Sequence, residues 1–204
     1  MVRCDQSGNA LRSSPFDCRI LKGDEELEQV LSLLYRTFVE EIPQHAANPQ
    51  RLLVDRFHSE NCYLGCFRDG RLVGSVAYRD RRPFSLDLKL TGLDTMVPMG
   101  RRWCEIRLLA VEHEFRRSNV IVSLLSTLVQ HALSCGRDAG LISGTTRQLP
   151  LYQHLGFQAF GPLVGKEEAL FQPMFVLLEA FQTVVGRTLN SIPIVPVSSP
   201  LISR

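Results

Sequence analysis

Two spacings of hydrophobic residues follow one another along the chain and predict an α/β fold. Apolar residues at three- and four-residue spacing mark a first helix, with Leu27, Val30, Leu31, Leu34 and Phe38 on one side. Short apolar runs beside turn residues, such as 61–67 before Asp69-Gly70, are typical of strands. Strands are predicted over 16–21, 61–67, 71–78, 103–111, 141–145 and 170–178, and helices over 24–41, 50–57, 119–135 and 149–155. Because strands lie beside helices along the chain, we expect a mixed central sheet flanked by helices.

The stretch from residue 103 to residue 157 is the centre of this pattern. A strand at 103–111, an apolar helix at 119–135 and a strand at 141–145 form a strand–helix–strand unit. Its crossover is right-handed when the two strands share a sheet. The turn before the helix directs backbone N–H groups and the positive end of the helix dipole at one point, which favours an anion there.

The two ends of the chain differ in composition from the region between them. Residues 1–15 are polar and end in Ser-Ser-Pro, and residues 187–204 hold three prolines and four serines. We therefore expect an N-terminal tail over 1–15, one domain over 16–186 and a C-terminal tail or linker over 187–204.

Composition narrows the class of protein. The 204 residues are 45% hydrophobic and 22% charged with a net charge of +2, which is typical of a soluble domain and does not indicate nucleic-acid binding. Residues 1–17 lack the apolar run of a signal peptide, and no stretch reaches the roughly 18 apolar residues of a transmembrane helix. The six cysteines are expected to be core thiols, with no metal site. These features predict a cytoplasmic protein.

Three motifs in the central stretch resemble those of the GNAT acyltransferase superfamily. Residues 105–111 are similar to its fourth strand, residues 115–121 to its pyrophosphate loop, and residues 151–157 to its Tyr-x-x-x-Gly-Phe signature. The resemblance implies that the strand backbone binds the pantetheine arm of an acyl donor and that the loop binds phosphate. The implied pantetheine contacts are Leu109, Ala110 and Val111, and the implied phosphate contacts are Arg116, Arg117, Ser118, Asn119 and Val120.

This loop lacks the small residues that the superfamily usually has, because Asn119 and Ile121 replace them. Small residues let a backbone approach a pyrophosphate closely, whereas arginine charge can bind a single phosphodiester without close approach. Arg116 and Arg117 therefore slightly favour an acyl carrier protein over acyl-CoA as the donor. No permanently bound cofactor is implied.

Further motifs narrow the resemblance to one branch of the superfamily. In order, residues 35–41, 54–58, 63–67, 73–79 and 82–84 resemble the acyl-homoserine-lactone synthases and the related N-acyl amino acid synthases. The resemblance implies functional roles for Arg36, Asp55, Phe57, Arg79 and Glu105. His58 replaces the second acid of the pattern, and Arg107 follows Glu105 by two residues instead of three. These departures disfavour lactone formation and are compatible with N-acylation.

Acylation of an amine by a thioester requires a base for the ammonium, a donor to the oxyanion and a proton for the thiolate. Glu105, among apolar neighbours, is the candidate base, acting directly or through water, or else a structural partner of an arginine. Tyr152 is the candidate acid, or else a packing aromatic. Arg36 and Arg79 are candidates to bind an acceptor carboxylate, Asp55 to orient its amine and Phe57 to line its pocket.

The sequence therefore predicts an N-acyltransferase that moves an acyl group, with a fatty acyl group favoured, to the amine of an amino acid or a similar small molecule. The donor is acyl-CoA or an acyl-phosphopantetheine carrier protein. One alternative is a short-chain N-acetyltransferase that uses acetyl-CoA. The other is a non-catalytic GNAT domain that binds an acyl ligand, which the missing loop glycines favour and the presence of Glu105 and Tyr152 opposes.

Overall fold

A computed structural model describes residues 16–166 and 169–191. The eight strands in these ranges form one mixed sheet. The strands are β1 (Asp17–Ile20), β2 (Cys62–Arg68), β3 (Arg71–Arg79), β4 (Trp103–Val111), β5 (Ala139–Thr145), β6 (Gln158–Ala159), β7 (Val164–Lys166) and β8 (Ala169–Leu177). The helices are α1 (Asp24–Tyr35), α2 (Leu93–Met96), α3 (Val120–Ser134), α4 (Leu149–His154) and α5 (Leu178–Ser191). The predicted α/β class is confirmed.

The sheet order is β1-β2-β3-β4-β5-β8-β6, with β7 paired to β8. Only the β4–β5 pair is parallel among the described strands, and α3 forms the crossover between them. The predicted strand–helix–strand unit is therefore confirmed, with both strands in one sheet. Residues of α3 and α5 pack in a core cluster on one face of the sheet, and residues of α1 pack in a second cluster on the other face.

The helix predicted over residues 50–57 is wrong, because this segment is extended and follows the surface of α1. The backbone N–H of Leu53 donates to the carbonyl of Leu31 at 3.0 Å instead of to a carbonyl of its own segment. Leu53 is buried against α1 residues, so its hydrophobic character reflects packing on a neighbouring helix. The one helical turn between residue 50 and β2, a part of the chain that the structure describes throughout, is the 3₁₀ turn His58–Glu60.

Two other elements differ from the prediction at their ends. The first helix changes to a π-helical turn over Arg36–Glu41, so α1 itself ends at Tyr35. Helix α5 was not predicted, and it continues past residue 187, where the C-terminal tail was expected to begin. Its signal was the helical spacing of Leu178, Phe181 and Val185, all buried. The N-terminal tail and residues 192–204 lie outside the described residues.

One cysteine pair corrects the expectation of core thiols. Cys18 and Cys66 face each other directly on β1 and β2, with Cα atoms 4.0 Å apart, and form a disulfide. Directly opposed positions of antiparallel strands bring Cα atoms close enough for this bond. Cys62, Cys104 and Cys135 are free thiols. No helix in the described ranges is long and apolar enough to cross a bilayer.

A β-bulge divides β4 into two parts and determines which side chains face the site. Ala77 on β3 pairs with Arg107, but Ser75, two residues earlier, pairs with Ala110, three residues later. Leu108 takes up the extra residue with a φ of 53°, an uncommon conformation for a side chain of this size.

Strands β4 and β5 separate just before the bulge. Their parallel pairing covers only residues 103–105 of β4, which face residues 139–141 of β5. Beyond that point β5 remains paired with β8, whereas residues 106–111 of β4 have no partner on the β5 side within the described chain. The divergence leaves a gap in the sheet, and the candidate site lies in this gap.

Candidate functional site

A cavity of about 320 Å³ opens where β4 and β5 diverge. Its walls come from strands β4, β5 and β8, helix α4, the π-helical turn after α1, and the connecting segments 42–57 and 80–92. Its lining residues are Phe38, Gln44, His45, Asp55, Ser85, Lys89, Ile106, Arg107, Leu108, Leu109, Ser143, Thr145, Tyr152 and Phe171. Asp55, Leu109 and Tyr152 had been singled out from the sequence, and the structure brings them together on this one space.

Glu105 lies directly behind the cavity wall and does not line it. Its side chain is 0% exposed. The backbone N–H of Ser85 lies 3.0 Å from each carboxylate oxygen, and the Ser85 hydroxyl also donates to Oε1. On the other side, Nε of Arg107 lies 3.6 Å from Oε2. The two residues that contact this carboxylate, Ser85 and Arg107, both line the cavity.

Asp55 and Arg107 form a bidentate ion pair at the cavity. The two guanidinium nitrogens lie 2.7 and 3.0 Å from the carboxylate oxygens, and both side chains are largely buried. Asn61 Nδ2 and the backbone N–H of Phe57 donate to the same carboxylate, each at 3.0 Å. Burial by itself raises the pKa of Asp55, but these hydrogen bonds and the charge of Arg107 outweigh it and hold that pKa below its ordinary value.

The ring of Phe57 is in contact with two guanidinium groups. The Cζ atom of Arg79 lies 3.9 Å from the ring centroid and that of Arg107 lies 4.8 Å from it. Arg79 is 1% exposed, and it pairs with Glu60 at 2.5 Å and donates to the carbonyl of Pro83. Phe57 and Arg79 are therefore buried supports of the Asp55–Arg107 pair. Neither lines the cavity, so their positions do not fit the expected direct contact with an acceptor.

Arg36 lies outside this cavity. Its guanidinium pairs with Glu112 at 2.6 Å and donates to the Ser32 hydroxyl at 2.8 Å. These residues line a separate groove along α1, together with Arg71. The expected pairing of Arg36 with an acceptor carboxylate therefore does not agree with its position.

Tyr152 closes the cavity from the side of α4. Its ring packs closely on β5, because a Cβ atom at Gly144 would lie 2.9 Å from it, and it meets Phe157 edge-on at 6.1 Å. Burial raises the pKa of Tyr152, and a hydrogen bond with Thr145 only partly offsets this effect. The phenol is therefore protonated at neutral pH and can donate a hydrogen bond.

The predicted phosphate loop lies between β4 and α3. Arg116 donates to the carbonyl of Val111 at 3.0 Å and forms an ion pair with Glu41. The Ser118 hydroxyl donates to the carbonyl of Phe115 at 2.6 Å, which closes the turn before the helix. The side chain of Arg117 is exposed, with no ion pair in the described part of the chain.

The first turn of α3 packs tightly on the sheet. Asn119 precedes the helix with φ −76° and ψ 2°, so it does not take the left-handed conformation of a glycine. Val120 is fully buried, and a Cβ atom at Gly74 on β3 would lie 2.7 Å from it. Backbone N–H groups at this helix end and the exposed Arg117 therefore form the anion-attracting part of the loop.

Lys89 was not singled out from the sequence. Its Nζ atom lies 3.4 Å from the Ser143 hydroxyl and 5.0 Å from the ring centroid of Phe171. Packing against the cavity wall lowers the pKa of Lys89. Of the lysine and arginine side chains that line the cavity in the described chain, Lys89 is the one without a carboxylate within ion-pair distance.

Several solved structures share this fold. A CoA-dependent acyl-homoserine lactone synthase, BjaI, superposes with a TM-score of 0.70 at 20% identity, covering 81% of this chain and 82% of that chain. FeeM, an N-acyl amino acid synthase from uncultured soil microbes, superposes with a TM-score of 0.62 at 17% identity, covering 82% and 93%. An acyl-CoA N-acyltransferase from Pseudomonas aeruginosa superposes with a TM-score of 0.54 at 17% identity, covering 78% and 97%. No curated relative matches the sequence significantly.

The mixed sheet with its divergent strands is a fold of the GNAT acyltransferase type. The sequence profile of the N-acyl amino acid synthase FeeM matches residues 29–179, and the chain belongs to that family. The resemblance inferred from the sequence motifs is therefore confirmed, and the reaction is acyl transfer by an N-acyltransferase.

The Asp55–Arg107 pair predicts a pH dependence of stability. A carboxyl group whose folded pKa is depressed stabilises the protein above its unfolded pKa, and this contribution disappears as the pH falls through the folded value. We expect the Asp55→Asn variant to be less stable than wild type at about pH 7, and to lose less free energy of unfolding below about pH 4. Urea unfolding across this range measures both.

Asp69→Asn provides the control, because Asp69 is 94% exposed at a hairpin turn. This variant should keep the wild-type pH dependence. An Asp55→Asn variant whose stability declined below about pH 4 as steeply as that of wild type would show that the ion pair does not lower the pKa of Asp55.

Proposed function

We propose that this N-acyltransferase moves a fatty acyl group from an acyl carrier protein or acyl-CoA to the amine of an amino acid or a similar carboxylate-bearing molecule. The observation that carries the proposal is the cavity between β4 and β5. It brings together a neutral phenol, a buried carboxylate behind a serine, and an ammonium that has no ion-pair partner in the described chain.

The donor is proposed to lie along β4 beyond its last pair with β5. Residues 106–111 have no strand partner on that side in the described chain, so a pantetheine arm can pair with the backbone as an added strand would. Among these residues Leu109 also lines the cavity, which makes its N–H the proposed oxyanion donor.

The phosphate of the donor is proposed to bind at the start of α3. Arg116 already pairs with Glu41, which leaves the exposed guanidinium of Arg117 and the backbone N–H groups of the helix end for an incoming phosphate. One available arginine matches a single phosphodiester better than a pyrophosphate, which favours a carrier protein. Both donors belong to the cytoplasm, where we infer that the protein acts.

The acceptor is proposed to lie across the cavity from the donor. Lys89 replaces the two arginines considered from the sequence as the partner of the acceptor carboxylate, since Arg36 lies elsewhere and Arg79 is buried. Its ammonium makes no ion pair with a carboxylate of the described chain and is partly desolvated, which strengthens an ion pair with a ligand. The acceptor amine would then face Ser85 and the Asp55–Arg107 pair.

The proposed reaction has two proton transfers: one removes a proton from the attacking amine, and the other gives a proton to the leaving thiolate. The amine loses its proton toward the Glu105 carboxylate and attacks the thioester carbonyl, and the C–S bond breaks as the tetrahedral intermediate collapses. Tyr152 donates its phenolic proton to the leaving thiolate, and the proton taken up by Glu105 then leaves to solvent. Because the phenol is neutral at physiological pH, it is in the state that this role requires.

The first test is turnover by the purified protein. Acetyl, medium-chain and long-chain thioesters of CoA and of a carrier protein are mixed with a panel of amino acids. We expect thiol release with a matching amide product identified by mass spectrometry, and higher rates with longer chains. Turnover only with acetyl-CoA would identify a short-chain acetyltransferase instead. Thiol that never exceeds the level without protein would exclude acyl transfer to these acceptors.

Tyr152→Phe tests the acid. Removing the phenolic hydroxyl should lower kcat by about 10²-fold with an ordinary thioester donor. The loss should be much smaller with a thioester of a more acidic thiol, since that thiolate leaves without a proton. Tyr35→Phe is the matched control, because its hydroxyl interacts with Asn48 outside the cavity. An equal loss with both donors would assign Tyr152 to packing.

Lys89→Met tests the acceptor site. Loss of the ammonium should raise KM for an amino acid about 10-fold or more with little change in kcat, because ground-state and transition-state binding are lost together. KM for the corresponding amino acid amide should not change. Lys22→Met is the control, since Lys22 lies beside β1, away from the cavity. An amide that wild type uses as well as the acid would exclude carboxylate recognition by Lys89.

A further inference from the structure

The proposed base is separated from the cavity in which the acceptor would bind. Glu105 is 0% exposed and is not among the residues that line the cavity. An acceptor amine in the cavity therefore cannot reach the carboxylate directly. Among the described residues that line the cavity, Ser85 and Arg107 lie within hydrogen-bond or ion-pair distance of Glu105, so they are the side chains through which an amine in the cavity can be connected to the base.

Only one of these two residues can conduct a proton. A guanidinium has no acceptor atom, so Arg107 cannot receive a proton from an ammonium. Both of its terminal nitrogens also bind Asp55. The Ser85 hydroxyl has one proton to donate and lone pairs to accept another, and its proton already points at Oε1 of Glu105.

We propose that the Ser85 hydroxyl is a catalytic proton relay between the acceptor amine and Glu105. The ammonium of the acceptor gives a proton to Ser85 Oγ as the Ser85 hydroxyl proton passes to Glu105 Oε1. One N–H bond and one O–H bond break, two O–H bonds form, and the products are a neutral amine, an unchanged serine and a protonated Glu105. The proposal rests on the proposed N-acyltransferase function and adds a residue to its mechanism.

The segment around Ser85 is held firmly enough for this role. The neighbouring side chains, Phe84 and Leu86, are 2% and 0% exposed and anchor the segment in the core. The backbone N–H of Phe84 donates to Asp87 at 2.6 Å, and the buried Arg79 donates to the carbonyl of Pro83. A hydroxyl fixed in this way between a cavity and a buried carboxylate is preorganised for transfer.

Ser85→Ala removes the hydroxyl and keeps both backbone N–H contacts to Glu105, so the carboxylate remains partly satisfied. At about pH 7 we expect kcat to fall about 10²-fold while KM for the acceptor changes little, because the loss is in proton transfer. The defect should become smaller at higher pH and with amines of low ammonium pKa, which are already neutral. Ser85→Thr keeps a hydroxyl and should restore most of the rate.

Two comparisons separate a relay from a structural role. Ser75→Ala removes another buried hydroxyl, one on β3 that has no hydrogen-bond partner among the described residues, and should leave turnover unchanged. In a double-mutant cycle with Glu105→Gln, the Ser85→Ala change should add almost no further loss, since both residues act in one path. Circular dichroism and thermal melting confirm that each variant is folded.

The outcomes distinguish the relay from the proposed function. If the wild-type protein turns over and the Ser85→Ala variant is slower by less than about threefold, the relay is overturned and the proposed acyltransferase function stands. A defect that is the same at all pH values and with all amines, or that adds fully to that of Glu105→Gln, would also overturn it, because a supporting residue behaves in that way. If Ser85→Ala does not fold, the Ser85→Thr variant decides the question. A kcat of Ser85→Thr as low as that of Glu105→Gln then overturns the relay too. A wild-type protein without turnover would end both proposals.

Discussion

Burial of charge on two adjacent strands determines how the irregular parts of this protein are held. Arg79 on β3 and Glu105 on β4 are register partners, and their side chains are 1% and 0% exposed. Removing an ion from water costs several kcal/mol, so each charge needs partners inside the protein. Arg79 forms an ion pair with Glu60 and donates a hydrogen bond to the carbonyl of Pro83, and Glu105 accepts hydrogen bonds from Ser85. Segments without regular secondary structure are therefore fixed to the sheet by the charges that they compensate.

The divergence of β4 from β5 places this network of buried charges next to the cavity in which the proposed reaction takes place. Fully paired strands would cover the space between Leu109 and Thr145, and no ligand could approach the backbone. Because pairing stops at Glu105, the same strand that buries the carboxylate also presents unpaired backbone a few residues later. The proposed acid, base and backbone donor can then lie at one cavity, held by regular strands and a helix, which agrees with the precision that catalysis requires.

The local pattern of hydrophobic residues was sufficient to predict the main strands and helices. It was not sufficient to predict the segments that line the cavity. Strand β4 was predicted at the bounds that the structure shows, since a long apolar run leaves little choice. Residues 50–57 were predicted to be a helix, whereas Leu53 packs on α1, an interaction that a local window cannot reveal. Ser85 and Lys89 belong to no sequence motif that could have pointed to them. Their proposed roles depend on how an irregular segment folds back over the sheet. Arg36 had a motif, but its contact is Glu112.

The position of Arg107 shows how a departure from a sequence pattern is reconciled by backbone geometry. In a regular strand, residues two apart share a face and residues three apart do not. The bulge changes this rule, because Leu108 takes up an extra residue at φ 53° and packs with α1, on the face where Arg107 meets Asp55. Leu109 then returns to the α3 side. Spacings of two and of three residues after Glu105 therefore reach the same face, so an arginine displaced by one position can still serve the same site.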